Sequence, residues 1–134
     1  MKKAVCLLAI LVLAAVLSGC GLIRIEEEER KPVDYTVVER QDIPAALDEI
    51  MNEKKEKEFQ LSYEMGETLY LAKGYGRQMS GGYSIQVTDL SASVNAVFFE
   101  TKLIGPTEEV QGGEPSYPYI VVKTEYRDVP VQFR

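Results

Sequence analysis

The 134-residue chain contains no histidine and no tryptophan, and its two cysteines, Cys6 and Cys20, both lie within the first twenty residues. Catalytic sites that need a histidine base or a cysteine-histidine pair are therefore excluded, as are the usual zinc sites built from these ligands. Beyond Cys20 the chain has no thiol, so a disulfide within the folded part is excluded as well. These absences remove most hydrolytic mechanisms.

Carboxylates are the catalytic groups that remain, because two facing acids can perform acid-base chemistry. The acids in or near predicted strands are Glu64, Glu67, Asp89, Glu100 and Glu125. With 27% of residues charged, such pairs are more often solvated surface. A phosphate-binding loop is missing, since GYGR at 74–77 lacks a Lys-Ser/Thr ending and a following helix, and no calcium-loop pattern occurs. We expect a non-enzymatic protein without a cofactor or a metal site.

Basic residues are also in deficit: 15 lysines and arginines stand against 21 acids, for a formal net charge of −6. An acidic surface repels nucleic-acid phosphates and anionic lipid headgroups, and it favours solubility. We therefore expect no nucleic-acid partner.

The first twenty residues have the pattern of a bacterial lipoprotein signal peptide. Two lysines precede an uncharged apolar run over residues 4–16, which leads into LSGC at residues 17–20. The run is shorter than the roughly 20 apolar residues of a membrane-spanning helix, and small residues and then charges follow it. We expect residues 1–19 to be removed as a signal peptide and Cys20 to carry the lipid.

A lipidated Cys20 makes the membrane the first predicted partner. Acyl chains such as palmitate contribute about 0.8 kcal/mol per buried CH₂, so the several chains of a mature lipoprotein anchor it stably. We expect the protein in the cell envelope, attached to the cell membrane and facing outside the cytoplasm. Residues 20–32, with four consecutive glutamates, indicate an acidic tether, and residues 33–134 a single domain of about 100 residues.

The folded part is predicted to be mainly β, of the α+β class. Apolar and polar residues alternate over 33–39, which is typical of a strand. One short N-terminal helix follows, capped by Asp42, with Pro44 in its first turn and apolar residues at helical spacing at Ile43, Leu47, Ile50 and Met51. Further strands are predicted over residues 59–63, 68–75, 82–90, 95–104, 117–126 and 129–133. About seven antiparallel strands fit a sandwich or a barrel-like sheet.

Two segments combine tyrosines with sharply bending backbone: GYGRQMSGGYSI at 74–85 and EPSYPY at 114–119. In an architectural interpretation, Gly81 and Gly82 supply unusual backbone angles or close strand approach, and the tyrosines cover the edge of the core. In a functional interpretation, the loops form a recognition surface on a rigid sheet. The candidate partner-binding residues are Tyr75, Ser80, Gly81, Gly82, Tyr83, Tyr117 and Tyr119.

The order and spacing of these segments resemble the PrcB C-terminal domain family, named for a lipoprotein subunit of a bacterial surface protease complex. The resemblance rests on SGGYSI at 80–85, followed by SYPYIV at 116–121 and an apolar strand, and it extends over residues 59–133. Members often have Pro-Thr where this chain has Met79 and Ser80, and residues 106–114 are glutamate-rich here. The resemblance implies a protein that binds and stabilises an extracellular partner, in the named case a protease, and it transfers no catalytic residue.

A weaker resemblance, carried by residues 80–83 alone, is to the chagasin-like protease inhibitors, immunoglobulin-like sandwiches that insert a Thr-Gly-Tyr loop into a cysteine-protease cleft. Protease inhibition is therefore one alternative, and a purely structural envelope lipoprotein is another. The function expected first is a non-catalytic, membrane-anchored accessory subunit that holds a protein partner.

Overall fold

The computed structural model describes residues 29–107 and 113–134 and shows a mainly β domain. Helix α1 (Ala45–Lys54) follows a short 3₁₀ turn (Arg40–Asp42). The strands are β1 (Lys31–Pro32), β2 (Thr36–Val37), β3 (Glu58–Met65), β4 (Thr68–Tyr75), β5 (Ser84–Ala92), β6 (Val97–Ile104), β7 (Tyr119–Glu125) and β8 (Val131–Phe133). The predicted signal peptide and Cys20 lie outside the described residues.

The strands form two four-stranded sheets packed face to face. Sheet A has the order β1-β5-β6-β8, and sheet B has the order β2-β7-β4-β3. Neighbouring strands are antiparallel except β6 and β8, which run parallel. The arrangement is a sandwich with one helix and not a closed barrel, which confirms the predicted mainly β class.

The stretch predicted as one strand over 33–39 differs in the structure. The chain pairs with β5 at β1, crosses to the other sheet, and pairs with β7 at β2. Val33 packs against the core between the sheets, and Val38 is buried on the opposite face of sheet B. Tyr35 and Val37 are 41% and 53% exposed. The alternating pattern therefore belongs to a segment that crosses from sheet A to sheet B. Val33 anchors this segment in the core between the sheets, and Val38 anchors it in the core on the opposite face of sheet B.

The main core lies between the two sheets. Alternate residues of β4 and β7 point into it, including Leu71 and Val122, which are both fully buried. Val97 and Phe99 of β6 face them from sheet A. Burying apolar surface stabilises the fold by about 25 cal/mol per Å² removed from water, so this core is the main stabilising feature.

A β-bulge at Thr88 keeps both halves of β5 facing this core. The β5–β6 register shifts between Val87 and Asp89, which leaves Thr88 as the extra residue. Side chains alternate along a strand, so without an extra residue Ile85 and Leu90 would point to opposite faces. With the bulge, both contact the core between the sheets.

Helix α1 covers the outer face of sheet B. Leu47 is fully buried and Met51 nearly so, and they pack with Tyr70 and Val121 in a second core. The helical spacing is confirmed for Leu47, Ile50 and Met51, whereas Ile43 is buried but precedes the helix. Because β4 and β7 have a core on each side, they are buried almost continuously.

The predicted helix start is wrong in detail. Asp42 ends the 3₁₀ turn, and the residue that caps α1 is Pro44, without a side-chain hydrogen bond. A residue before proline is driven out of the helical region, and Ile43 is accordingly extended, with φ −71° and ψ 129°. The helix therefore begins after Pro44. In the described parts of the chain, no helix is long and apolar enough to span a membrane.

Candidate functional site

The two tyrosine-bearing segments, distant in sequence, lie together at one end of the sandwich. The backbones of Gln78 and Ser116 exchange two hydrogen bonds, of 2.8 and 3.0 Å. The Ser116 hydroxyl also donates to the carbonyl oxygen of Ser80 at 2.6 Å. We call residues 76–83 and 113–118 the loop end. Antiparallel pairing places them together, because β4 and β6 end here and β5 and β7 begin here.

Two glycines fix the path of residues 76–83. Gly76 has a φ of +76°, and a Cβ there would approach the backbone before β3 to 3.0 Å. Gly82 has a φ of +86° and lies against Pro106. Such angles strain any other residue, so these glycines are conformationally required. Gly81 departs from the prediction, since it has no positive φ and a Cβ there would meet nothing within 4 Å.

The structure brings most of the predicted residues into the loop end. Ser80 and Tyr83 are half-buried, and the Tyr83 ring lies near Gly105 on the adjoining segment. Gly82 is exposed at the turn into β5. Tyr117 is half-buried in the second segment. These residues share one surface although the sequence separates them into two groups.

A cleft of about 220 Å³ opens between the loop end and α1. Two of the predicted residues, Tyr117 and Tyr119, line it together with Phe59. The complete lining is Arg40, Asp48, Met51, Asn52, Lys55, Phe59, Tyr117, Pro118 and Tyr119. Three aromatic rings surrounded by polar groups resemble the centre and rim of a protein-binding surface.

The floor of the cleft depends on a glycine of β4. Gly74 pairs directly with Phe59 on β3, and the Phe59 ring lies across the Gly74 Cα so closely that a Cβ there would overlap it. Tyr119 pairs with Gly74 from the other side. The absence of a side chain at Gly74 therefore lets Phe59 lie beside Tyr119 and form one aromatic floor.

The charges around the cleft are mixed. The Lys55 Nζ atom lies 4.8 Å from the centre of the Tyr117 ring, within the range of a cation–π interaction. Arg40 and Asp48 stand on the α1 side of the same opening. With two cations and one acid, the rim of the cleft has a positive net charge, whereas the chain as a whole is acidic.

Tyr75 does not join the other predicted residues. Its side chain points between the sheets, where its hydroxyl and the Thr101 hydroxyl of β6 lie 2.5 Å apart. Beside it, the Nζ atom of the buried Lys73 lies 2.6 Å from Glu58 and 5.2 Å from the Tyr75 ring centre. Tyr75 therefore belongs to a polar group that closes the open end of the inter-sheet core.

Sequence reasoning missed the α1 side of the cleft. Arg40, Asp48, Asn52 and Lys55 are surface residues with no motif of their own, and only the packing of α1 against sheet B places them opposite the tyrosines. Phe59 was predicted only as a strand residue. A phenylalanine and a glycine on neighbouring predicted strands were the available signal, because an aromatic ring often covers a glycine on the adjacent strand.

The carboxylates considered as catalytic groups lie away from the cleft. Asp89 and Glu100 face each other across β5 and β6 on the outer side of sheet A, and Asp89 lies 3.9 Å from Arg30. Glu64 lies near Tyr126. Among residues 29–107 and 113–134, no cluster of three or more acidic side chains is arranged to hold a metal ion.

The fold and the site define a class: a two-sheet β-sandwich, backed by one helix, with a loop-built aromatic cleft at one end. A family model described as PrcB C-terminal matches residues 69–125, which confirms the resemblance to this family over that segment. The match contains both segments of the loop end but covers less than half of the chain. Neither the curated proteins nor the solved structures gave a match.

Proposed function

We propose that this protein is a non-catalytic, lipid-anchored accessory subunit that binds and stabilises a protein partner outside the cytoplasm, in the manner implied by the family name, where the partner is a surface protease. The lipoprotein signal pattern ending at Cys20 supports the anchor. The PrcB C-terminal match supports the accessory role.

The observation that carries the proposal is the joining of two distant segments into one surface. The Gln78–Ser116 hydrogen bonds hold the loop end as a unit, and Tyr117 and Tyr119 continue it into the cleft. Half-buried, hydrogen-bonded loops lose little entropy when a partner docks, so such a surface is preorganised for binding.

The path of the chain also favours this role. Lys31 of β1 pairs with Ala92, the last residue of β5, whereas the loop end precedes Ser84, the first. Nine residues of strand separate these ends by about 30 Å. A lipid on Cys20 would therefore attach the domain by the end opposite the cleft, and the loop end would face away from the membrane.

The test is cross-linking of the lipidated protein in its native envelope, followed by identification of what is recovered with it. We expect a stoichiometric protein partner that is lost in Tyr117→Ala and Tyr119→Ala variants. Tyr35→Ala is the matched control, because Tyr35 is 41% exposed beside β2, away from the loop end. The Cys20→Ser form reports whether anchoring is needed.

Recovery of the protein alone from the envelope would contradict the proposal. A partner retained equally by all three alanine variants would restrict the role to a surface other than the cleft. Stoichiometric slowing of a peptidase panel by the purified protein would identify an inhibitor instead.

A further inference from the structure

Strand β3 is a long open edge. Within residues 29–107 and 113–134, β3 is eight residues long and pairs with β4 alone, whereas the other outer strands, β1, β2 and β8, are two or three residues long. An unpaired strand edge presents free N–H and C=O groups that another extended chain can pair with.

The backbone groups on this edge can be assigned. Tyr75 donates its N–H to Pro118 on the β7 side of β4, at 3.0 Å, so its pair with Glu58 exchanges no hydrogen bonds. Bonded and non-bonded pairs alternate in an antiparallel ladder. The residues with outward N–H and C=O groups are therefore Glu58, Gln60, Ser62 and Glu64.

The two faces of the edge differ in chemistry. On the α1 side, Phe59, Leu61 and Tyr63 form a half-buried apolar row that ends at Met65, which is 48% exposed. Phe59 is shared with the cleft, so the row runs into the candidate site. On the other face the side chains are exposed and polar, because sheet A does not extend over them.

The polar face is acidic towards Met65. The Tyr126 hydroxyl donates to Asp128 at 3.4 Å, and the Glu64 carboxylate lies beside the same hydroxyl. Burial raises the pKa of Tyr126, and the charges of Asp128 and Glu64 raise it further, as expected for a negative local potential.

One symmetric pairing of two β3 strands is disfavoured by charge. In an antiparallel pair, directly opposite residues have their side chains on the same face. A symmetric pairing of two β3 strands centred on Leu61 therefore sets Glu58 opposite Glu64. Like charges directly opposite destabilise a strand pair. The acidic residues therefore disfavour that self-pairing, whereas a basic strand places opposite charges beside them.

We infer that β3 accepts an extended segment of the protein partner as a ninth strand, with apolar side chains on the α1 face and basic side chains on the acidic face. The inference deepens the proposed function and rests on it, because it names the kind of polypeptide that docks. The added strand would lie along Gln60 to Glu64 and lead towards the cleft at Phe59.

The first test uses a defined probe. An eight-residue peptide of alternating valine and lysine is added to the full exported chain, and amide hydrogen exchange is followed across β3. We expect at least about tenfold slower exchange at Gln60, Ser62 and Glu64, and no protection with a valine–glutamate peptide. Absence of β3 protection, or equal protection by both peptides, would overturn the inference.

Two variants with matched controls locate the effect. Ser62→Pro removes an outward N–H without touching the β4 ladder, and Ser62→Thr keeps that N–H. Glu64→Lys reverses the edge charge, and Glu49→Lys makes the same change on the exposed side of α1. We expect both edge variants to weaken peptide binding about tenfold or more and both controls to bind normally, with unfolding temperatures confirming that all four fold.

The same variants separate this inference from the proposed function. If the envelope partner is recovered unchanged with Ser62→Pro and Glu64→Lys, the edge is not the docking strand and the accessory role stands. If the peptide protects β3 but no partner is recovered, the accessory role fails while strand acceptance stands.

Discussion

Gly74 and Phe59 form a direct contact that shapes both the sheet and the cleft. Because a Cβ at Gly74 would overlap the Phe59 ring, Gly74→Ala forces the ring out of its position. We expect a loss of about 1–3 kcal/mol in the free energy of unfolding, the usual cost of overpacking, measured by chemical denaturation.

Gly81→Ala is the matched control for this substitution. Gly81 has open space around it and no positive φ, so alanine fits without strain. We expect Gly81→Ala to leave the free energy of unfolding unchanged or to raise it by less than about 1 kcal/mol. Equal destabilisation by both alanines would show that the Phe59 contact is not the cause.

Tyr126 titrates at an elevated pH because of its surroundings. Its pKa is raised above the usual 10.0 by burial first and by the carboxylates of Asp128 and Glu64 next. The folded state therefore favours the neutral phenol, and the associated stability is fully present below pH 10.0 and lost as the pH rises through the folded pKa.

Removing a neighbouring charge should reverse part of this shift. Asp128→Asn is expected to lower the pKa of Tyr126, measured as a difference in ultraviolet tyrosinate titration with Tyr126→Phe as the reference. Glu53→Gln on α1 should leave the titration unchanged. An unaltered Tyr126 titration in Asp128→Asn would contradict the assigned electrostatic cause.

At the scale of elements, α1 is held against sheet B by buried apolar side chains. Leu47 is fully buried against sheet B, so Leu47→Ala should leave a cavity and cost about 2–5 kcal/mol of unfolding free energy. Ile50→Ala, at a half-buried position on the same helix, should cost less. Thermal and denaturant unfolding of the two variants would give the comparison, and equal costs would argue against tight packing at Leu47.

The bulge in β5 has a larger role than its single residue suggests. Deleting Thr88 would restore strict alternation and turn either Ile85 and Val87 or Leu90 and Ala92 away from the core. Exposing either pair removes about 2–4 kcal/mol, which is a large part of the stability of a small domain. We expect the Thr88 deletion to abolish cooperative unfolding, as measured by circular dichroism. Thr88→Ser should keep the cooperative transition.

Some elements can be predicted from the sequence and others cannot. Strand β3 and the face of α1 follow from alternation and helical spacing, because each is buried on a regular period. Strands β4 and β7 are buried on both faces and follow instead from β-rich runs bounded by turn residues. The crossing between β1 and β2 was missed since two-residue strands carry no period. The α1 side of the cleft was missed because it exists only after the helix packs on the sheet.

For the whole molecule, the proposed anchor predicts an orientation. Met79 at the loop end and Val94 in the β5–β6 turn are similarly exposed, at 79% and 75%, and lie at opposite ends of the sandwich. On intact cells, a bulky maleimide should label Met79→Cys faster than Val94→Cys. In a Cys20→Ser background, released from the membrane, the two rates should converge.

Similar labelling rates in the anchored protein would contradict an outward-facing loop end. Faster labelling at Val94→Cys would place the cleft towards the membrane. Either result would leave the fold unchanged and would alter the direction from which a partner reaches the protein.

Sheet B is assembled from segments that are far apart in the chain. Its central strand β7 begins at Tyr119, yet it pairs with β2 at Thr36 and Val37 and with β4 at Thr68 to Gly74. Among the described strand pairs, only the β3–β4 and β5–β6 hairpins can form from local contacts, and non-local pairing folds slowly. Under the proposed export, a chain threaded through the membrane from its N-terminus would complete its core only after nearly all of it had crossed, and it would therefore fold on the far side.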